Sequence, residues 1–313
     1  MTANVSARAT SSLNRRRTPR PKRAWYRRRS AAGAAFAAPT AVFVTLLFLL
    51  PLFTVGQMSL SEWSLLGGNL GVNAPQNYTD LWNNPLLVPS VRFTILYTAI
   101  VTVIMLSIAF GIALLVQEST RWISLLRTAV LVPSALGLAS ASLLFFGLYS
   151  PNIGPISPIL EEVGLIDEAV SFLGTPEAAL WSTVFLVVWR FTGFYMLILL
   201  VGLQGISLDI YEAGRLDGAG RWQLFRDITL PLLRPSIALS LILCITGSLL
   251  AFDQFFILTK GGPDNSTVTV VQLIYREAFA RFDLGSAAAL SVTVLAVLVI
   301  LNIVQFRALR AKD

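Results

Sequence analysis

Six long apolar runs, each wide enough to cross a bilayer, leave this chain few ways to fold. They lie at about 35–58, 93–117, 125–148, 179–204, 236–258 and 284–306. At a rise of 1.5 Å per residue, about twenty residues cross the roughly 30 Å hydrocarbon core as a helix. In hydrocarbon every backbone N–H and C=O must be satisfied by the protein itself, and a helix does so within one segment. The expected fold class is therefore an all-α membrane protein with about six transmembrane helices. Composition agrees. Of 313 residues 55% are hydrophobic and 13% charged, against about 25% charged in soluble domains. Mean hydropathy is +0.70. Pro51 and Pro133 fall inside two runs and are expected to kink them, with neighbouring helices satisfying the freed carbonyls. Gly193 and Gly202 in the fourth run read as points of close helix packing.

Charge sets the expected orientation. Residues 1–30 hold ten Arg/Lys and no acid, including Arg15-Arg16-Arg17 and Arg27-Arg28-Arg29. Such a segment has too little apolar surface to fold alone, so a basic disordered cytoplasmic tail is expected, drawn to anionic membrane lipid and not to nucleic acid. A twin-arginine signal peptide would also begin this way. The uncharged stretch Ser30–Ser61 is too long for a signal core, which favours an uncleaved first helix. With the N-terminus cytoplasmic, the tail, the 118–127 turn, the 205–235 loop and the C-terminal tail carry nineteen of the 24 Arg/Lys. The opposite loops carry four, Arg92, Lys260, Arg276 and Arg281, and the 149–178 loop has five acids and no base. Basic residues concentrate on cytoplasmic loops, so both termini and the 205–235 loop are expected inside.

Several chemistries are excluded. The chain has no histidine, which removes imidazole acid–base catalysis and His-ligated metal sites. Its one cysteine, Cys244, lies in an apolar run and reads as a small core residue. There is no GxxxxGK[ST] phosphate loop, and Gly261-Gly262-Pro263 reads as a turn. The chain is therefore not expected to be an enzyme or to hold a cofactor.

Two charges stand inside apolar runs, Arg190 in the fourth and Asp253 in the fifth. A charge in hydrocarbon is costly and usually faces a cavity or a partner. Three readings stay open: both line a solute path, they pair with each other, or they sit near the membrane surface. Trp181, Trp189, Phe194, Tyr195 and Phe252 lie close by in sequence, with rings suited to stacking on sugars or to the bilayer interface.

The 205–235 loop differs from every other polar stretch. It carries four acids and four bases, and it contains YEAGRLDGAGRWQLFRDITLPLLRP. Glu212-Ala213-Gly214 is followed after three residues by Gly218, and after nine more by Ile228-Thr229-Leu230-Pro231. This pattern resembles the EAA loop of ABC importer permeases, with Gly214 in place of the third position's Ala. The departure keeps the residue small and weakens the helix locally. Further motifs resemble the carbohydrate branch of that family. They are Gln76-Asn77-Tyr78 with Leu81, Pro85, Thr94 and Thr98; Leu126-Arg127-Thr128 with Pro133 and Gly154; Leu203-Gln204 with Ile206; and Gly261-Gly262-Pro263 with Ser266-Thr267. The resemblance covers about residues 34–306.

The resemblance implies a type I importer fold, with a permease domain over 31–313. It implies a permease subunit for oligosaccharides or glycerol-3-phosphate, working by alternating access. Implied partners are a second permease subunit, two ATP-binding subunits that hold ATP and Mg²⁺, and an extracytoplasmic solute-binding protein, all at the bacterial plasma membrane. Glu212, Ala213, Gly214, Asp217, Gly218 and Ala219 would contact an ATP-binding subunit, with Gly218 turning the chain and Pro231 ending the element. Arg190, Asp253, Trp189, Tyr195 and Phe252 are the candidates for the solute path. An ion-gradient-driven secondary transporter is the alternative; it would need paired intramembrane carboxylates, and it leaves the EAA spacing unexplained.

Overall fold

A computed structural model describes residues 33–34, 36–118, 120–151, 153–164, 166 and 170–309. The basic tail at 1–30 lies outside the described residues. The described residues divide into two compact units, with the division after Thr54. The described elements are almost all helical, as the apolar runs require. Among the described residues, five helices are long and apolar enough to cross a membrane, and a sixth span results if one bent pair is counted as one.

The first span, α1 (Phe36–Ser59), contains a π-turn at Thr45–Leu49. Pro51 follows that turn by two residues. Its i−4 carbonyl, on Leu47, lies within the turn, where the wider winding relieves the clash a proline ring brings. After α1 come the hairpin strands β1 (Ser61–Ser64) and β2 (Gly68–Val72), then α2 (Gln76–Asn83). The hairpin is antiparallel, pairing Ser61 with Val72 and Ser64 with Gly68. Asn77, the Asn of the QNY motif, ties these pieces together. It is buried, and its Nδ2 donates to the carbonyls of Ser59 (3.0 Å) and Ser61 (2.9 Å).

The core is built on α3 (Leu87–Leu115). Tyr97, Val101, Met105, Ala109 and Ala113 recur every four residues and are all at most 1% exposed. This stripe packs chiefly on α7 (Pro176–Gln204), through Leu186, Tyr195, Met196, Leu199 and Leu203.

Between α3 and α7 the third span departs from a single kinked helix. α4 (Arg121–Leu131) continues into a 3₁₀ turn at Val132–Ala135, and α5 (Leu138–Leu148) leaves at 94°. Pro133 lies in the 3₁₀ turn. The bend is seated on α7 at Gly193, where an added Cβ would meet the backbone of Val130 and Leu131. Gly202, one of the two expected packing points, likewise lies against Ser236 and Leu233. A short α6 (Ile156–Glu162) occupies the loop before α7.

After α7 come α8 (Leu208–Leu216) and then the fifth span, which begins at Arg221. A turn at Arg221–Gln223 leads into a π-turn at Leu224–Thr229 and then α9 (Leu230–Leu249). Pro231 was expected to end the polar element and set the entry to the fifth helix; it stands in the first turn of α9, two residues past the π-turn, within a stretch that is already helical from Arg221. The fifth run was also expected to be one helix to 258. It breaks at Leu250–Phe252, and α10 (Asp253–Leu258) restarts and packs on α5. The chain then forms α11 (Val270–Tyr275), a π-turn at Arg276–Ala280, and α12 (Leu284–Leu309). The Gly261-Gly262-Pro263 segment is a turn, braced by Arg276, which donates to the Lys260 carbonyl (3.0 Å) and Asn265 Oδ1 (2.7 Å).

Candidate functional site

The polar loop between the fourth and fifth spans folds as a short surface helix with a sharp exit. The Ser207 hydroxyl caps α8 by accepting from the Asp209 N–H at 3.3 Å. Asp217 closes the helix, and Gly218 adopts φ +85°, a conformation costly for any residue with a side chain. Gly220 then opens the next helix, with its N–H donating to Gln223 Oε1 at 2.8 Å.

α8 is held to that next helix by one of its faces. Tyr211 and Thr229 hydroxyls are 3.0 Å apart. Gly214 faces Leu224 and Ile228, and a Cβ there would come to 2.7 Å and 3.0 Å from their δ-methyl carbons. The departure from alanine at this position thus has a steric reason: the glycine lets α8 lie against the π-turn. The other face is open. Leu208, Glu212, Ala213 and Leu216 are all exposed, Leu216 at 89%. The ion pairs among the described residues are Arg226–Asp227 and Arg281–Glu277, so Glu212 is in neither. Asp217 is exposed and Ala219 half-buried at the exit turn. Trp222, 69% exposed, extends the apolar surface beside it. This exposed set of the carboxylates Asp209, Glu212 and Asp217 with several apolar side chains was only partly visible in sequence, where Leu208, Leu216 and Trp222 do not stand out from span residues.

The second constellation is a cavity of about 130 Å³ at the break in the fifth span. Among its lining residues are Tyr97, Tyr195, Ser248, Phe252, Asp253 and Gln254. Three of the five path candidates, Tyr195, Phe252 and Asp253, therefore come together. The other two do not line it. Trp189 packs on Phe145, ring centroids 5.2 Å apart. Arg190 donates from Nε to the Leu136 carbonyl at 2.9 Å and lies over the Phe191 ring at 4.0 Å, and the Ser134 hydroxyl donates to its carbonyl at 2.7 Å. An Arg190–Asp253 ion pair is thus not formed: the guanidinium satisfies a carbonyl freed by the bend of the third span. Trp181 and Phe194 are exposed.

Gln254 is the cavity residue that the sequence reading missed. It is 3% exposed, and its Nε2 donates to the Tyr97 hydroxyl at 3.1 Å. Its Oε1 has no hydrogen-bond partner. A polar residue beside Asp253 within an apolar run was the available signal. Cys244 is buried in the same region as a free thiol, 3.8 Å from the Thr102 hydroxyl.

Known proteins share this architecture. A permease protein of a sulfoquinovosyl glycerol transport system from Agrobacterium fabrum is 32% identical over 88% of this chain and 89% of its own length. The lactose transport system permease protein of Rhizobium radiobacter is 30% identical over 90% and 94%. An sn-glycerol-3-phosphate transport system permease protein from Pectobacterium atrosepticum is 33% identical over 76% and 80%. Among solved structures, a chain of a bacterial ABC transporter that imports the acidic polysaccharide alginate superposes with a TM-score of 0.80 at 21% identity, covering 92% of this chain and 99% of that one. The family described as binding-protein-dependent transport system inner membrane component matches residues 34–311, and the chain belongs to it.

Proposed function

We propose that this chain is the membrane-spanning, non-catalytic subunit of an ATP-driven importer for a sugar or related solute of the oligosaccharide and glycerol-3-phosphate class. A second permease subunit completes the path. Two ATP-binding subunits hold ATP and Mg²⁺, and an extracytoplasmic solute-binding protein delivers the solute. The chain is multi-pass in the bacterial plasma membrane, with both termini and α8 in the cytoplasm, as its basic residues favour.

One observation carries this reading: α8 stands between two spans with its inner face packed through Gly214 and its outer face exposed around Glu212. Hydrolysis occurs on another subunit, so its closure must reach the membrane by contact. A short helix with a carboxylate and apolar side chains suits a groove on that subunit. Because α8 leans directly on the π-turn at the start of the fifth span, a displacement of α8 passes into that span. The same span runs through α9 to the break beside which Asp253 lies, so in this reading movement of α8 is passed along α9 towards the cavity. Movement there would expose the path alternately to the two sides.

Two substitutions test the reading. Glu212→Lys puts a base where a partner groove meets a carboxylate. It should leave the protein in the membrane, release the ATP-binding subunits on purification, and reduce uptake by about tenfold or more, equivalent to ~1.4 kcal/mol of coupling. Orientation is tested by single cysteines placed at Glu161 and at Arg226 in a Cys244→Ala background. An impermeant thiol reagent applied outside should label the first and spare the second. Normal uptake and retained subunits in Glu212→Lys, or labelling of position 226 alone, would refute the proposal.

A further inference from the structure

We infer that the groove between α9 and α12, near the membrane surface where α12 ends, binds one anionic phospholipid, with its phosphate on Arg307 and the start of an acyl chain along Ile242, Ile303 and Phe306. The inference requires only that α9 and α12 are membrane spans. It is independent of which solute is carried and of which side the termini face.

The depth of Arg307 is the first observation. It is the one charged residue in Leu284–Leu309. At 1.5 Å per residue it stands about 35 Å along the helix from Leu284. That is just past the roughly 30 Å of hydrocarbon, at the level of the lipid headgroups. Arg307 is in neither ion pair found among the described residues, and no acid lines the groove beside it. A cation at that depth without an acidic partner meets lipid phosphates, and basic pockets between spanning helices are where anionic headgroups bind.

The groove is the second. It measures about 330 Å³ and is lined by Ile242 of α9 and by Asn302, Ile303, Phe306 and Arg307 of α12. From Asn302 to Arg307 the lining covers about 8 Å of helix, leading from the headgroup level back into hydrocarbon. Asn302 closes the inner end. Its Nδ2 donates to the Leu298 carbonyl at 2.8 Å, and its Oδ1 accepts from the Thr246 hydroxyl of α9 at 3.4 Å. The polar side chain deep in the groove is thus committed within the protein. What faces a ligand is an apolar channel with one cation at its mouth, the division of a phospholipid into chain and anionic head. Val299, Ile300 and Val304 beside it are exposed, so the groove borders a surface suited to hydrocarbon. A protein segment seated there would have to bring a carboxylate to Arg307. A zwitterionic lipid brings a cationic group along with its phosphate, which opposes Arg307 and favours the anionic headgroup.

The test counts lipids. The intact transporter, with all its subunits, is placed in nanodiscs of equal parts phosphatidylglycerol and phosphatidylcholine with matched acyl chains. Native mass spectrometry reads both the subunits and the phospholipids that stay bound. Wild type should keep one phosphatidylglycerol more than Arg307→Gln, in which occupancy by that lipid should fall about fivefold, the effect of one basic residue at an anionic surface. Ile303→Trp keeps the charge and fills the groove, and should lose the same molecule. Both variants should retain every subunit. Equal phosphatidylglycerol counts in wild type and Arg307→Gln, or loss of phosphatidylcholine as often as phosphatidylglycerol, overturn the inference. If Arg307→Gln does not accumulate, Ile303→Trp decides, and an undiminished phosphatidylglycerol count there overturns it. Loss of the second permease subunit from either variant, with the lipid count unchanged, overturns it in favour of a subunit interface.

Discussion

Replacing Gly193 by alanine should be among the most damaging one-carbon changes in this chain. An added Cβ would lie 2.7 Å from Leu131 Cα and closer still to the Val130 carbonyl. Ordinary contact begins near 3.4 Å, and both obstacles are backbone, so no rotamer change relieves the overlap. α4 must back away from α7 by about 0.7 Å or more. Overpacking of this kind costs about 1–3 kcal/mol. The retreat also stretches two bonds that hold the bend, Arg190 Nε to the Leu136 carbonyl and Ser134 Oγ to the Arg190 carbonyl. Interhelical hydrogen bonds in membranes contribute about 0.6 kcal/mol on average and up to ~1.7. The sum is a loss of roughly 2–4 kcal/mol, or about 4–16 °C in apparent Tm at the 2–4 °C per kcal/mol of mid-sized proteins. Gly111→Ala is the control, because a Cβ there meets nothing within 4 Å. Fluorescence-detected size exclusion after heating solubilised protein measures both. Equal midpoints for Gly193→Ala and Gly111→Ala would refute the packing argument.

Three further outcomes follow from the same geometry. Gly214→Ala should stay within about 1 kcal/mol of wild type, since the helix gains propensity and the groups it meets are the movable ends of Leu224 and Ile228, whereas Gly214→Ile should displace α8 and cut uptake severalfold; transport assays on both decide it. Asn77→Ala removes the donor to the Ser59 and Ser61 carbonyls and should cost about 2–3 kcal/mol, read as a lower melting midpoint with unchanged solute preference. Arg190→Gln should lower the membrane level of the protein without altering which solutes compete, because its guanidinium holds the bend and lies outside the cavity; altered competition at normal level would contradict that placement.

The spans were legible because length and apolarity are properties of side chains in order, and the bilayer demands both. The places where spans break were not, because their causes lie far away in sequence. The fifth run stays apolar through Leu249, Leu250, Ala251 and Phe252, yet the helix stops there. The Thr269 hydroxyl, eighteen residues on, donates to the Ala251 carbonyl at 2.7 Å and holds the break. Pro133 announced a kink, but its angle depends on what the turned chain meets, and Gly193 provides that surface. Arg190 stood out as a charge in an apolar run, and charge alone suggested Asp253 as its partner. A carbonyl released by the bend took that place, which composition cannot reveal. The helix α8 and its exit turn were legible by spacing, since Glu212, Gly218 and Ile228 fall in a fixed pattern. The role of Gly214 was not, because it depends on Leu224 and Ile228 folding back against it. The hairpin at Ser61–Ser64 and Gly68–Val72 was missed because its strands are too short to show alternation.

The docking of α8 is the claim on which the rest depends, and photo-crosslinking tests it directly. A photoreactive phenylalanine derivative at Leu216, 89% exposed at the end of α8, should join this chain to the ATP-binding subunit when the intact transporter is irradiated in membranes. The same group at Leu143 in α5, 63% exposed on an apolar span, should give no such adduct. An adduct from Leu143 and none from Leu216, or capture of the solute-binding protein by Leu216, would contradict the account.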